Sequence, residues 1–157
     1  MDQRSSMNIC PSCKKETLER GMQELDIPHF GKSILYYLRC TSCGFRVNDI
    51  SFEGDFPNEA KVVISGKKDL NTKIVRSGKA TLLIPELGLE LYPGPLSESF
   101  ITNVEGLLNR FLDLLPLFDK GNKVDEFKIR IEQALSGKIE FSIILKDPSG
   151  VSHFLKE

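Results

Sequence analysis

The sequence predicts a mainly β protein with some helix: a small cysteine-held ribbon, then a β-domain with a helical hairpin inserted before its last strands. Three observations predict it. Two Cys-x-x-Cys pairs, "CPSC" at 10–13 and "CTSC" at 40–43, use all four cysteines of the chain. Short strand-type segments divided by turn residues run from 34 to 92 and return near the C-terminus. Between them, at about 103–136, two stretches carry helical apolar periodicity. The expected organisation is a ribbon over 1–55 and a β-domain over 56–157.

The ribbon rests on its cysteines. Two cysteines two residues apart can aim both sulfurs at one ion from a tight turn, and a second such turn closes a tetrahedron around Zn²⁺. Cys10, Cys13, Cys40 and Cys43 fit this, with Pro11 shaping the first turn and Gly44 suited to a positive φ after the second. A redox Cys-x-x-Cys would need one pair and leave the other unexplained. Disulfides fit a reducing cytoplasm badly, and "MDQRSSMN" has no apolar signal region, so a cytoplasmic location is expected. One zinc held by four protein ligands leaves no open position, which makes the expected site structural and not catalytic. Around the second pair, 34–39 and 45–52 read as strands, and "GDFPNE" at 54–59 as the turn or linker that ends the module.

Beyond the linker, "KVVIS" 61–65, "TKIVRS" 72–77, "ATLLIP" 80–85 and "LGLELY" 87–92 read as strands, and "PGP" at 93–95 ends them. "IEFSIIL" 139–145 and "VSHFL" 151–155 flank "KDPSG", which predicts a terminal hairpin. In the helical region Val104, Leu107, Leu108, Phe111, Leu112 and Leu115 form one apolar stripe. Thr102 and Glu105 read as a capping box, and Pro116 ends or kinks the helix. A second helix at about 123–136 places Val124, Phe127, Ile131, Ala134 and Leu135 on one face, with Gly137 as its stop. The polar "DKGN" at 119–122 joins the pair as an antiparallel hairpin.

Composition excludes some classes of function. The 157 residues are 40% hydrophobic and 27% charged, with a net charge of −1, which argues against a protein that coats nucleic acid. No apolar run is long enough to suggest a membrane span. There is no GxxxxGK[ST] or GxGxxG loop. An oxygenase triad needs two His and a carboxylate, but His29 falls in the loop between the cysteine pairs and His153 in the terminal hairpin, so no enzyme is expected.

Seven features occur together: the two cysteine pairs with their long spacer, "IPHF" 27–30, "CTSCGFRVNDI" 40–50, "DLNTKIVRS" 69–77, "IPELGLEL" 84–91, "TNVEGLL" 102–108 and "DPSG" 147–150. In this order they resemble the ZPR family of zinc-finger proteins, whose archaeal members carry one such module and eukaryotic members two. Two features depart from the pattern. Asn103 stands where the family has a second threonine, and "PGPLSESF" carries less glycine. The resemblance implies a zinc ribbon joined to a double-stranded β-helix with a helical hairpin. It also implies a protein-binding role, as chaperone or adaptor for the translation GTPase elongation factor one-alpha.

Several residues are candidates for a partner surface. Residues 61–79 hold six Lys or Arg against Asp69, and Lys67, Lys68, Lys73, Arg76 and Lys79 could face an acidic partner surface or phosphates; lysines guarding a strand edge are the plainer reading. Leu114, Leu117 and Phe118 fall off the main stripe near the hairpin tip. Phe45 and Arg46 follow the second cysteine pair. The alternative function is a nucleic-acid-binding ribbon that stacks bases on Tyr36, Tyr37 and Phe45 beside Arg46. Glu86 and Glu90 read as the wet side of a strand. A monomer is the expected state.

Overall fold

The computed structural model describes residues 8–52, 54, 56–118 and 121–156. Residues up to 53 and from 54 onward form two compact units. The expectations for the extreme N-terminus and for residues 119 and 120 of the hairpin loop lie outside the described residues.

The first unit is an antiparallel meander of β1 (Leu18–Ile27), β2 (Gly31–Cys40) and β3 (Arg46–Phe52), in that order. β1 has no counterpart among the strands expected from sequence. Its "LERGMQELDI" is rich in Glu, Asp and Gly, which strands avoid, and it is held by pairing with β2 along its whole length, Leu18 opposite Cys40 and Ile27 opposite Gly31. Pro28 and His29 make the turn between them: the Phe30 amide donates to the Ile27 carbonyl at 3.0 Å, with His29 at a φ of 71°. This unit buries few side chains. Leu18 packs with Cys10 and Cys40, with Leu38 and Phe45 against them. At the far end Phe30 stacks on Phe52 with ring centroids 4.4 Å apart.

The second unit places β4 (Asn58–Ile64), β6 (Thr81–Ile84), β7 (Leu89–Leu91) and β9 (Phe141–Asp147) in one antiparallel sheet, ordered β4-β9-β6-β7. β5 (Lys73–Arg76), β8 (Phe100–Asn103) and β10 (His153–Leu155) form another, ordered β10-β5-β8. Both sheets and the helices α1 (Val104–Leu114) and α2 (Asn122–Leu135) share one core. Ile64, Leu82, Ile84 and Ile143 come from the first sheet, Ile74 from the second, Leu107 and Leu108 from α1, and Ile131 and Ala134 from α2. This is the mainly β architecture with two helices that the sequence predicts.

Three local expectations need correction. The C-terminal strands do not form a hairpin: β9 pairs with β4 and β6, whereas β10 pairs with β5 in the other sheet. The turn is present, with the Gly150 amide donating to the Asp147 carbonyl at 3.2 Å, but hydrogen bonds to the Asp147 carboxylate steer the chain across to the second sheet. The cap of α1 is Asn103 and not Thr102. Thr102 is paired opposite Ile74 in β8, and Asn103 Oδ1 accepts the Gly106 amide at 2.8 Å. The residue that departs from the family pattern is thus the one that caps the helix. Basic residues 61–79 do not line one edge: Lys61 is in β4, Lys67 and Lys68 in a 3₁₀ turn at Lys67–Asn71, and Lys73 in β5. The helix stops do follow expectation. α1 runs out at Leu114 into a 3₁₀ turn containing Pro116. At the end of α2 the Lys138 amide bonds the Gln133 carbonyl and the Gly137 amide the Ala134 carbonyl, both at 3.0 Å.

A buried carboxylate ties the two sheets of this unit together. Asp147, at the end of β9, is 2% exposed. Its Oδ1 accepts from Ser77 Oγ at 3.0 Å and from the Ser149 amide at 2.8 Å. Its Oδ2 accepts from the Ser152 amide at 2.9 Å and from the Ser152 hydroxyl. Ser77 follows β5, and its amide donates to Ser152 Oγ at 2.9 Å. The incoming chain passes over the same turn so closely that a Cβ on Gly150 would lie 1.9 Å from the Phe56 carbonyl oxygen, which makes Gly150 obligatory there.

Burial alone would raise the Asp147 pKa, but the Ser152 and Ser149 donors outweigh it and hold it below the usual carboxylate value. A depressed folded-state pKa contributes stability that is present above about pH 4 and is lost as pH falls through the folded value. Asp147→Asn should therefore cost roughly 3 kcal/mol at neutral pH, because several buried donors lose a charged acceptor. It should also flatten the acid limb of the stability curve. Urea unfolding at pH 7 and pH 3 tests both; equal stabilities at pH 7 would show the network to be dispensable.

Candidate metal centre and partner surface

The two knuckles are built alike from unlike sequence. In the first, the Cys10 amide donates to the Lys15 carbonyl at 2.9 Å and the Lys14 amide to the Cys10 carbonyl at 2.9 Å. In the second, the Cys40 amide donates to the Phe45 carbonyl at 2.8 Å and the Gly44 amide to the Cys40 carbonyl at 3.1 Å. The residue after each second cysteine is left-handed, Lys14 at a φ of 62° and Gly44 at 77°. Glycine adopts this conformation freely; lysine does so at a cost. Nothing in the residue type singles out Lys14 from sequence, although its place in the first knuckle matches that of Gly44 in the second.

The knuckles bring all four sulfurs within 4.8 Å of one another. Cys10 and Cys43 are 3.7 Å apart, as are Cys13 and Cys40. Four thiolates on one zinc at about 2.3 Å would stand about 3.8 Å apart, so the cluster fits one tetrahedral zinc with every position filled by protein. Thr17, which no sequence motif marks, lies beside it with Oγ1 3.1 Å from Cys40 Sγ. The Thr17 hydroxyl, helped by the Cys43 amide, lowers the Cys40 pKa to about 6. The Lys15 amide lowers Cys13. The Phe45 amide also lowers Cys43, but partial desolvation and the neighbouring sulfurs outweigh it and push that thiol up to about 11. Four adjacent sulfurs resist carrying four charges without a cation, and a divalent ion removes that repulsion. Among the described residues no other group of three or more His, Cys, Asp or Glu side chains is close enough to hold an ion.

The remaining candidates scatter. Leu117 and Phe118 are 79% and 62% exposed beyond the end of α1, and Leu114 and Ile129 of α2 are exposed as well. Arg46, Lys67, Lys68 and Lys73 are exposed. Arg76 is not available to a partner, contrary to expectation: it is 1% exposed and its guanidinium donates to the Ala80 carbonyl at 2.7 Å and to Ser97 Oγ at 3.2 Å. Buried between β5 and the 93–99 loop, it fastens that loop and lies 5.4 Å from the centre of the Phe100 ring. Phe45 is half-buried against the cysteine cluster, so it supports the metal site. Tyr36 and Tyr37 point to opposite faces of the sheet, as adjacent strand residues must, so they do not form one stacking platform. Glu86 serves the fold: its carboxylate accepts from the Ser142 hydroxyl at 2.7 Å and the Ser142 amide at 3.0 Å. Partial desolvation would raise the exposed Glu86, and these bonds hold it below its usual value.

Zinc content and knuckle geometry give two tests. Cys40→Ser should lose the metal and unfold residues 8–52, while the second unit, with its own core, keeps its melting transition. Metal analysis with calorimetry checks this, and a variant retaining one zinc per chain would refute the assignment. Lys14→Gly should stabilise the zinc-loaded ribbon by up to about 1 kcal/mol, whereas Gly44→Ala should weaken it by about the same. Zinc retention against a competing chelator measures both.

Comparison with known proteins agrees with this geometry. Residues 5–58 match the ZPR1 zinc-finger domain and residues 68–156 the ZPR1 jelly-roll domain. An uncharacterized ZPR1-like protein of Methanocaldococcus jannaschii is 38% identical, over 94% of this chain and 79% of its own length. A second from Pyrococcus horikoshii is 31% identical, over 94% of this chain and 72% of its own length. The zinc finger chaperone zpr1 of Schizosaccharomyces pombe is 34% identical over 92% of this chain, which spans only 34% of that longer protein. Among the described residues no helix is long and apolar enough to cross a membrane. With both domain matches in sequence order and a closed four-cysteine site, the chain belongs to the ZPR1 zinc-finger family.

Proposed function

We propose that the protein is a non-enzymatic, cytoplasmic interaction module that acts as a monomeric chaperone or adaptor for a GTPase of the elongation factor one-alpha type. The observation that carries this is the helical hairpin. α1 commits Val104, Leu107 and Leu108 to the core, yet Leu114, Leu117 and Phe118 remain outside it. Exposed large apolar side chains grouped at one tip suit a hydrophobic contact with another protein. The chaperone named among the relatives supports a protein partner. The elongation factor itself comes from the family resemblance.

Leu117 and Phe118 are the proposed anchors, with Lys67, Lys68 and Lys73 as steering charges on the same unit. Arg46 is a separate candidate contact on the ribbon. Phe45 is a poor probe of binding, because an alanine there reports on the metal site first.

Calorimetric titration of the purified factor, in its GDP and GTP states, tests the reading. Phe118→Ala and Leu117→Ala should each cost about 2 kcal/mol, roughly 30-fold in affinity, with zinc content unchanged. Reversing Lys67 and Lys68 to Glu should mainly slow association and reduce its salt dependence. No binding in either nucleotide state would end the elongation-factor reading. Normal binding by both hairpin variants would leave the partner and move the surface elsewhere.

A further inference from the structure

We infer that the outer edge of β1 is a docking strand that takes up an extended, basic polypeptide segment by strand addition. Three observations carry this. β1 runs for ten residues and, among the described residues, pairs only with β2, which leaves its other edge without a strand partner there. Natural edge strands are usually blunted by charged side chains, lysine above all, by proline, by a bulge or by shortness, and the charges of β1 are mainly acidic. β1 has no lysine and no proline, and its register with β2 runs unbroken from Leu18 to Ile27. An edge left this open is either an aggregation hazard or a binding site.

The side chains say what the edge would accept. Residues opposite each other in register share a face, which puts Met22, Tyr36 and Asp49 in one row and Arg20, Leu38 and Val47 in the next. Met22 is 72% exposed, and Tyr36 and Val47 are exposed beside it. An added strand would extend this face and cover Met22 with an apolar side chain. Glu19, Glu24 and Asp26 give β1 three acids against Arg20. Glu19 has Arg39 and Asp26 has Lys32 across the β2 side, but Glu24 lies opposite Ile34. The incoming strand is therefore favoured with a Lys or Arg facing Glu24 and further basic residues toward Asp26 and Glu19. The acids also disfavour a phosphate backbone on this edge. β3, the other edge, is shorter and begins at Arg46. The occupant is thus an unfolded or extended segment of a basic client. This inference rests on the ribbon and is independent of the elongation-factor reading.

The test uses the full zinc-loaded chain and a fluorescein-labelled ten-residue peptide of Lys and Val, with Val placed to face Met22 and Lys placed to face Glu24, Asp26 and Glu19. Fluorescence anisotropy should detect saturable binding, and the matching Glu–Val peptide should not bind. Strand addition uses every second backbone amide of the peptide. N-methylation of one alternate set should therefore weaken binding about 100-fold or more, through the loss of several backbone bonds, while N-methylation of the other set leaves it within a few-fold. Glu24→Lys should weaken binding about 5-fold with one zinc retained. Amide resonances of residues 18–27 should shift on titration. Equal sensitivity to both methylated sets, unchanged binding by Glu24→Lys, or shifts confined to β3 would each overturn the inference. So would tighter binding of a ten-nucleotide single-stranded RNA than of the peptide.

Discussion

Residues 8–52 depend on the four cysteines, because they have almost nothing else to hold them. Leu18 and Phe30 are the buried apolar side chains of this unit besides Cys10 and Cys40, and most strand positions face water. A three-stranded sheet with so little buried area does not repay its conformational entropy by the hydrophobic effect. Bonds to a metal ion supply what the core does not. The zinc is therefore structural in the full sense, and the sheet is a consequence of it. The second knuckle ends β2 at Cys40 and starts β3 at Arg46, and Leu18 of β1 packs on Cys40. All three strands take their register from that corner.

The second unit solves the same problem differently. It has a continuous apolar core drawn from two sheets and two helices. Its closure depends on hydrogen-bonded polar groups: the buried Asp147 between the ends of β9 and β5, the buried Arg76 guanidinium beneath the 93–99 loop, and the exposed Glu86 on Ser142. Each joins separate segments of the chain, and Asp147 and Arg76 would be costly to bury alone. Several of these residues lie in the stretches that resemble the family most. A structural duty accounts for them without any contact with a partner.

What remains for binding is what the fold leaves uncommitted. The hairpin carries an inner stripe for the core and a set of exposed apolar side chains at its tip. The ribbon, held by metal and not by a core, can leave strand faces and edges open that a conventional sheet would have to cover. An interaction protein needs such surfaces, and a separate source of stability is what lets them stay exposed.

The cysteine spacing alone determined the zinc site, because Cys-x-x-Cys restricts both sulfurs to one side of a tight turn whatever surrounds it. Periodicity alone determined both helices, since their stripes and stops are local. The strands with alternating apolar residues were legible for the same reason. β1 was not, because its side chains favour no strand and only pairing with β2 makes it one. The true cap of α1 was hidden because Thr102 and Asn103 are both good caps, and the strand pairing of Thr102 decided between them. Arg76 read as one charge of a basic stretch, and Asp147 as part of a turn. Tertiary structure buried both, because hydrogen bonds to Ser97 and Ser77, far along the chain, receive them, and no local pattern encodes a bond between residues 70 apart. The same reason hid the parting of β9 and β10: a turn is written in a few adjacent residues, but the sheet each strand joins is chosen by partners elsewhere in the chain.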